Sequence, residues 1–527
     1  MNRASDRDAD SSVSTREELN TAKAQRLPEN LWLTWLASLS FANLVYLRAW
    51  GYLIPRFSGD LFFRKTLPGF GLYFAVFGDV ILLSLLIALT IGIAPKLPGW
   101  VRRGLRAAAI AIVVLIGTLA ASSRIHILPA KDLPVAAVLG FLAAAGLAYR
   151  FSSAASRGLT LAAVAGTPCL AVTFLAPLYF LTAPSPLPGD PPLAPRLAGA
   201  PPIRVLWIIF DEWDQRLSFT DRIAGTRLPV LDGLDSRSFV ATHALAVQSD
   251  MGIPVNKMAT LLAIPSLLYG KHVADLKLQG NGSARMYFAD GDPPGLFGAG
   301  QSIFARVRSS GWNSAVAGWY LPYCRAFGRE LYNCYWDESY GKASSASHSP
   351  IEAAVDETRM LFETIAFSPF GPTLGTVRHF NEYETLLATA KRNAADPSVG
   401  FSFIHFNIPH LPYFDQPRIG GLGYYGYRDD LYSDALERVD SSIGEILKAL
   451  RGAGLDSKTA IILSSDHPQR QSPQTDPHVP FIVHLPGQET GTVYNREFST
   501  IKTADVALAI AGGGIRTPAD IEQFLLR

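Results

Sequence analysis

A chain of 527 residues is too long for one ordinary domain, and 48% hydrophobic content with only 17% charged residues excludes a purely soluble protein. The formal charge nearly cancels, at +2, and no basic, aromatic-rich stripe of the kind nucleic-acid binding needs is present. Residues 1–30 contain no apolar core of a signal peptide and balance five basic with five acidic residues up to Arg26, so a disordered cytoplasmic tail is expected.

Residues 31–182 carry five apolar stretches long enough, or nearly so, to cross a bilayer: Leu31 to Leu53, Leu72 to Ile93, Leu105 to Ser122, Leu133 to Tyr149 and Leu159 to Leu181. The fourth is the shortest, and a buried hairpin is its alternative. Counted on alternate sides, Lys and Arg number eleven against six, which orients the tail to the cytoplasm and everything after Leu181 to the outside. Arg48 and Asp79 fall at about the same depth in the first two stretches; either they pair or face a polar cavity, or Arg48 reaches the headgroups. Eight prolines between Ala183 and Pro202 mark a stiff, extended linker. A soluble domain of residues 203–527 follows, ample for a large core.

Within that domain Val205 to Asp214, VLWIIFDEWD, is an uninterrupted apolar run that stops at two carboxylates. It reads as a buried parallel strand that delivers Asp211 and Glu212 to the carboxyl edge of a sheet, where open α/β sheets keep their sites. Ala460 to His467, AIILSSDH, ends in the same manner at Asp466 and His467. Further strands are expected at Phe401 to Phe406 and Pro480 to Leu485, and an amphipathic helix at Asp430 to Leu450 with Gly452 just beyond it. Strand and helix in alternation predict a parallel sheet wrapped by helices, an α/β/α sandwich. Cys324 and Cys334, ten residues apart on the oxidising side, are read as a local disulfide, two free thiols being the alternative. Cys169 lies in the fifth apolar stretch as a small apolar residue.

Asp211, Glu212, Asp466 and His467 form a mixed oxygen and imidazole set that suits Zn²⁺ or Mn²⁺ and tolerates Ca²⁺. His405, His410 and His478 stand at or near strand edges, in FIHFNIPHLPY and HVPFIVHLPG, which adds to the case for a metal or oxyanion site.

The order of these pieces resembles the sulfatase branch of the alkaline phosphatase superfamily. It runs from a strand ending in acids through T-x-x-x-I-P-S-L-L-x-G, H-x-x-x-P-H-x-P-Y and S-S-D-H to H-V-P-F-I-V. With the apolar stretches in front, the chain is most similar to membrane enzymes that transfer phosphoethanolamine or phosphoglycerol to envelope lipids and glycans, such as lipid A phosphoethanolamine transferases and lipoteichoic acid synthases. The resemblance implies a five-helix transmembrane bundle followed by an alkaline-phosphatase/sulfatase-like domain on the periplasmic side of a bacterial inner membrane. It implies Thr260 as nucleophile and metal ligand, together with Asp211, Glu212, Asp466 and His467 as ligands of the divalent metal. His405 and His410 become catalytic, and His405, His410 and His478 bind the transferred anion or hold a second metal. Arg470 is close enough in sequence to bind that anion, and Lys257 is read as a solvated charge.

Membrane lipids are the implied donors or acceptors, with envelope glycan or lipid as substrate. The alternatives are a sulfatase-like hydrolase of sulfuric or phosphoric esters and an inactive envelope scaffold. Two departures stand out: no C/S-x-P-x-R motif surrounds Thr260, and Pro468 follows His467 where the family usually has Gly.

Overall fold

The computed structural model describes residues 187–337, 374–413 and 427–527 continuously, and 35–46, 60–65, 69–93 and 163–182 with shorter pieces elsewhere. Contacts divide the chain into two units. The first holds the apolar helices; the second runs from Pro184 onward, apart from Ala343–Phe367, and also takes in Pro55–Leu67.

In the first unit, α1 (Phe70–Ile93) and α2 (Pro168–Thr182) pack around Tyr46, Trp50, Val76 and Leu170. The Tyr73 hydroxyl donates to the Phe174 carbonyl at 3.2 Å, and Thr173 Oγ1 to Asn43 Oδ1 at 3.0 Å. Leu82, Leu85, Leu86 and Leu89 line the outward face of α1, at helical spacing. Among the described residues, Phe70–Leu89 is the one helix long and apolar enough to cross a bilayer. The expected spans at 105–122 and 133–149 lie largely outside the described residues, as does Arg48.

The second unit is built on an eight-stranded sheet. Its strands are β1 (Arg204–Asp211), β2 (Phe239–Ala241), β3 (Ser314–Trp319), β4 (Asn333–Asp337), β5 (Phe401–Pro409), β6 (Thr459–Ser465), β7 (Phe481–His484) and β8 (Thr492–Tyr494). Their spatial order is β8-β2-β7-β6-β1-β5-β3-β4. β1, β3, β4, β5 and β6 pair in parallel, whereas β7 runs against both its neighbours. β7 follows β6 without a crossover helix, so the chain returns beside it in the opposite direction.

Alternation along β1 decides what each face carries. Val205, Trp207 and Ile209 enter one core, with Ala263, Ile264, Leu267 and Leu268 of α3 (Thr260–Tyr269) and residues of α6 (Thr503–Ala511). Leu206, Ile208 and Phe210 enter the other, covered by α4 (Leu374–Ala395) and α5 (Asp429–Gly452). The expected α/β/α layering is therefore present. The apolar residues expected on the inner face of α5, Leu431, Ala435, Val439, Ile443, Ile446, Leu447 and Leu450, are buried, and Gly452 ends the helix instead of following it.

The described part of the proline-rich linker forms no helix, as expected. From residue 187 it lies along the second unit: Ala194 N–H donates to the Gly328 and Leu331 carbonyls at 3.1 and 2.8 Å, and Leu197 N–H to Asn313 Oδ1 at 2.8 Å. Stiff extended backbone has few partners of its own, so it takes them from the surface it crosses.

Candidate active site

The same alternation that builds the first core extends to the carboxyl edge. Asp211 follows Ile209, His405 follows Phe403 and Asp466 follows Ser464 on the face that α3 covers. All three are fully buried, and Thr260, the first residue of α3, is 7% exposed. Ala259 occupies the cap position of α3, so the Thr260 side chain is not spent on capping. Its Oγ1 lies 3.2 Å from Asp211 Oδ2 and 3.3 Å from His467 Nε2.

His467 Nδ1 donates to the Pro468 carbonyl at 3.1 Å, which leaves the Nε2 lone pair facing Thr260 and the carboxylates. Ligand atoms of Asp211, Asp466 and His467 all lie within 4.8 Å of one another. Among the described residues, Asp211 Oδ1 and Asp466 Oδ2 are buried without a hydrogen-bond partner. Burial, with Asp466 and Glu212 nearby, pushes the Asp211 carboxyl well above the usual range. Orphaned carboxylate oxygens and an aimed imidazole fit a divalent cation, with oxygen and nitrogen donors suited to Zn²⁺ or Mn²⁺.

Glu212 takes a different direction. It sits at φ 65, which reverses the side chain relative to Asp211, and such a conformation costs a non-glycine residue about 1–2 kcal/mol. The Tyr432 hydroxyl donates to its carbonyl at 2.7 Å and fixes the turn. Its Oε1 accepts from Arg470 Nε at 2.6 Å and its Oε2 from Gln469 Nε2 at 3.2 Å, so the carboxylate stands beside the ligand cluster, engaged elsewhere. Arg470 also donates to the Met258 carbonyl and contacts His410 Nε2 at 3.2 Å. His410 Nδ1 donates to the Leu411 carbonyl, so its Nε2 is an acceptor for Arg470; burial and Arg470 both push its pKa down, though Glu212 opposes them.

His405 Nδ1 pairs with the Tyr323 hydroxyl at 2.8 Å, and its Nε2 is buried without a partner among the described residues. Burial lowers its pKa to about 4, so it is neutral at pH 7. His478 is placed apart: it is held by Asp476, packs edge-on against His243 at 5.2 Å, and does not line the cavity above Thr260. Lys257 is exposed.

That cavity holds about 350 Å³ and is lined by Asp211, Thr260, Trp319, Tyr320, Arg378 and Arg470, with His410 among the remaining wall residues. Trp319, Tyr320 and Arg378 were not expected from the sequence. The first two lie at the end of β3, so the rule that pointed to Asp211 also reaches them; Arg378 comes from α4 and carries no local signal.

Cys324 and Cys334 are joined by a disulfide, with sulfurs 2.10 Å apart, which ties the short helix Tyr323–Phe327 to β4. Tyr323 lies flat against β3 because residue 318 is glycine: a Cβ there would stand 2.3 Å from the tyrosine ring. Gly318→Ala is expected to displace Tyr323 from His405 and cost about 1–3 kcal/mol by overpacking, read as a lowered Tm.

A family model described as type I phosphodiesterase / nucleotide pyrophosphatase matches residues 280–516. The chain is 28% identical over 102 residues to an endo-4-O-sulfatase of Bacteroides thetaiotaomicron, covering 17% of this chain and 20% of that protein. It is 35% identical over 78 residues to a steryl-sulfatase of Rattus norvegicus, covering 15% and 12%. The chain thus spans a fifth or less of the length of these curated relatives. Among solved structures, a lipoteichoic acid synthase of Listeria monocytogenes aligns with TM-score 0.35 and 12% identity over 60% of this chain and 73% of that one. The family and sulfatase matches bear out the resemblance to the alkaline phosphatase superfamily and its sulfatase branch.

Proposed function

We propose that this chain is a metal-dependent membrane enzyme that takes a phospho-alcohol headgroup, phosphoethanolamine or phosphoglycerol, from a phospholipid onto Thr260. It then passes the group to an envelope lipid or glycan. The observation that carries this reading is the spare hydroxyl of Thr260, held between Asp211 and His467 on the floor of an open cavity. A bound Zn²⁺ or Mn²⁺ would supply charge neutralisation on the transferred group and acidify the hydroxyl beside it. Asp211, Asp466, His467 and Thr260 would hold it; Glu212 orients Arg470.

In the first step Thr260 releases its hydroxyl proton to water in the open cavity and its oxygen attacks phosphorus, the bond from phosphorus to the diacylglycerol oxygen breaks, and that oxygen takes up one proton, which His410 Nε2 has drawn from the same water. An anion in the cavity competes with Glu212 and His410 for Arg470. Once Arg470 turns to the anion, His410 Nε2 is free to carry the proton. His405, neutral and held by Tyr323, is fully buried and does not line the cavity, so its part is to pack beside Asp466 and not to touch the substrate. In the second step an acceptor hydroxyl attacks the phosphothreonine and restores the threonine.

The apolar α1 and the flanking apolar sequence support a multi-pass protein of a bacterial inner membrane with the second unit on the periplasmic side. A tethered site meets lipid donors at the bilayer surface.

The test is intact mass of the full-length chain in detergent, metal-loaded, after exposure to phosphatidylethanolamine or phosphatidylglycerol. A mass increase equal to one headgroup phosphate, absent in Thr260→Ala and after chelation, supports the transferase. Release of free phosphate or sulfate from simple esters without an adduct supports the hydrolase that the sulfatase relatives favour. Bound metal with neither result sinks both.

A further inference from the structure

We propose that Asp60–Lys65, the stretch the chain inserts between its first two apolar segments, backs the wall of the cavity above Thr260, with Phe63 as a positioning residue for Tyr320. The proposal rests on the functional reading above for its meaning in catalysis, and its structural half stands apart from it.

Leu61, Phe62 and Phe63 are 4%, 2% and 5% exposed, although they lie far in sequence from the rest of the second unit, to which they belong. Phe62 and Phe63 are members of the core that also contains Trp207 and α3. The short turn Asp60–Phe63 is pinned by Arg325, which donates to the carbonyls of Leu61 at 3.1 Å, Phe62 at 3.3 Å and Arg64. Lys65 Nζ lies 4.6 Å from the Tyr335 ring centroid. An isolated loop of a membrane bundle has no need of such seating, and burying two phenylalanines gives it a strong hold on the α/β unit.

The two rings do different things. Phe62 packs edge-on against Phe63 at 5.1 Å and against Phe297 at 5.9 Å, with no ring contact, among the described residues, to a residue that lines the cavity. Phe63 packs against Tyr320 at 5.0 Å, and Tyr320 lines the cavity. Tyr320 sits at φ 74, a backbone conformation that a tyrosine leaves unless its surroundings hold it there. Its ring is flanked by Trp319 at 5.6 Å on one side and Phe63 on the other. Removal of Phe63 opens the space into which Tyr320 relaxes, and the cavity wall goes with it. Arg325 adds a second link, because it shares a helix with Tyr323, the partner of His405.

The experiment uses the full-length chain in detergent with four variants: Phe63→Ala, Phe63→Leu, Phe62→Ala and Tyr320→Ala, plus the Phe63→Ala/Tyr320→Ala double variant. Phe62→Ala serves as the core-packing comparison: it removes a ring of equal size and similar burial whose link to Tyr320 runs only through Phe63. Phe63→Ala is expected to raise KM for the phosphodiester about tenfold, with kcat less affected and with no further rise in the double variant. Phe63→Leu restores most of the loss. Amide exchange over residues 319–323 is expected to accelerate about tenfold in Phe63→Ala and about twofold or less in Phe62→Ala, which leaves the Phe63 ring against Tyr320.

Equal effects of Phe62→Ala and Phe63→Ala on KM and exchange would overturn the proposal, as would additive effects of Phe63→Ala and Tyr320→Ala. A wild type that binds metal but turns over no ester sinks the functional reading, and the exchange comparison then decides the structural claim alone.

Discussion

Thr260→Ala is expected to lower phosphodiester turnover by about 10⁴-fold or more and to leave Tm within a few degrees of wild type. The asymmetry follows from the position of the residue. The hydroxyl faces Asp211 Oδ2 at 3.2 Å, His467 Nε2 at 3.3 Å and the Asp466 carboxylate, all on other elements of the fold. Ala259 already serves as the cap, so no helix end is released, and alanine favours the first turn slightly more than threonine does. The loss is one buried hydrogen bond, worth about 1 kcal/mol net. Chemistry, by contrast, loses its nucleophile, and water in the vacated space lacks the oxygen that α3 holds in place. Thr260→Ser keeps the oxygen and is expected to retain most of the rate. kcat and a thermal melt on the same preparation check both halves. Retention of more than a tenth of wild-type turnover in the alanine variant would remove Thr260 from the chemistry.

What the sequence made legible here was the part governed by period two and by strand ends. Runs such as VLWIIF and AIILSS admit few readings besides buried parallel strands, and a carboxylate at the end of each has to emerge at the carboxyl edge. Alternation then puts Asp211, His405 and Asp466 on one face, the face that α3 covers. One residue beyond the strand the rule loses its grip. Glu212 adopts φ 65, and that single backbone turn sends its carboxylate to Arg470 and Gln469 instead of the ligand cluster.

Long-range packing was not legible. Nothing in the string DLFFRK says that it docks on Arg325, some 260 residues later, because a short apolar turn between two membrane-like stretches has no period to read. Arg378 likewise sits on a helix whose outer and inner faces are both polar enough to hide it. The proline-rich segment was recognised as extended, but extension alone does not distinguish a free spacer from one laid along a surface; the carbonyls of Gly328 and Leu331 decide that.

Asp211→Asn is expected to change sign with the metal: a lower Tm than wild type in excess Zn²⁺ or Mn²⁺, and a higher Tm than wild type in a chelator. In the metal-free protein, burial holds the Asp211 carboxyl well above its unfolded value, and Asp466 and Glu212 push the same way. Such a group holds a proton in the folded chain that the unfolded chain has released. Its stability contribution is fully present in acid and is lost as pH rises from about 4, the unfolded value, through the raised folded value. By pH 8 the carboxyl is a net liability, because the folded chain must either keep a proton that the unfolded chain has released or bury a charge whose Oδ1 is unpartnered among the described residues.

The neutral amide removes that liability, so the advantage of the variant in chelator should grow between pH 5 and pH 8. A bound divalent cation reverses the balance. At a free concentration near 100 times Kd it stabilises the folded state by about 2.7 kcal/mol, and the asparagine forfeits most of this along with one anionic ligand. Paired melts of the full-length chain, with and without metal at both pH values, separate the cases. A variant that melts below wild type in chelator as well as in metal would mean that the Asp211 charge is already compensated by protein groups alone. Identical curves in both conditions would mean that Asp211, Asp466 and His467 hold no cation, and the proposed chemistry at Thr260 would lose its support.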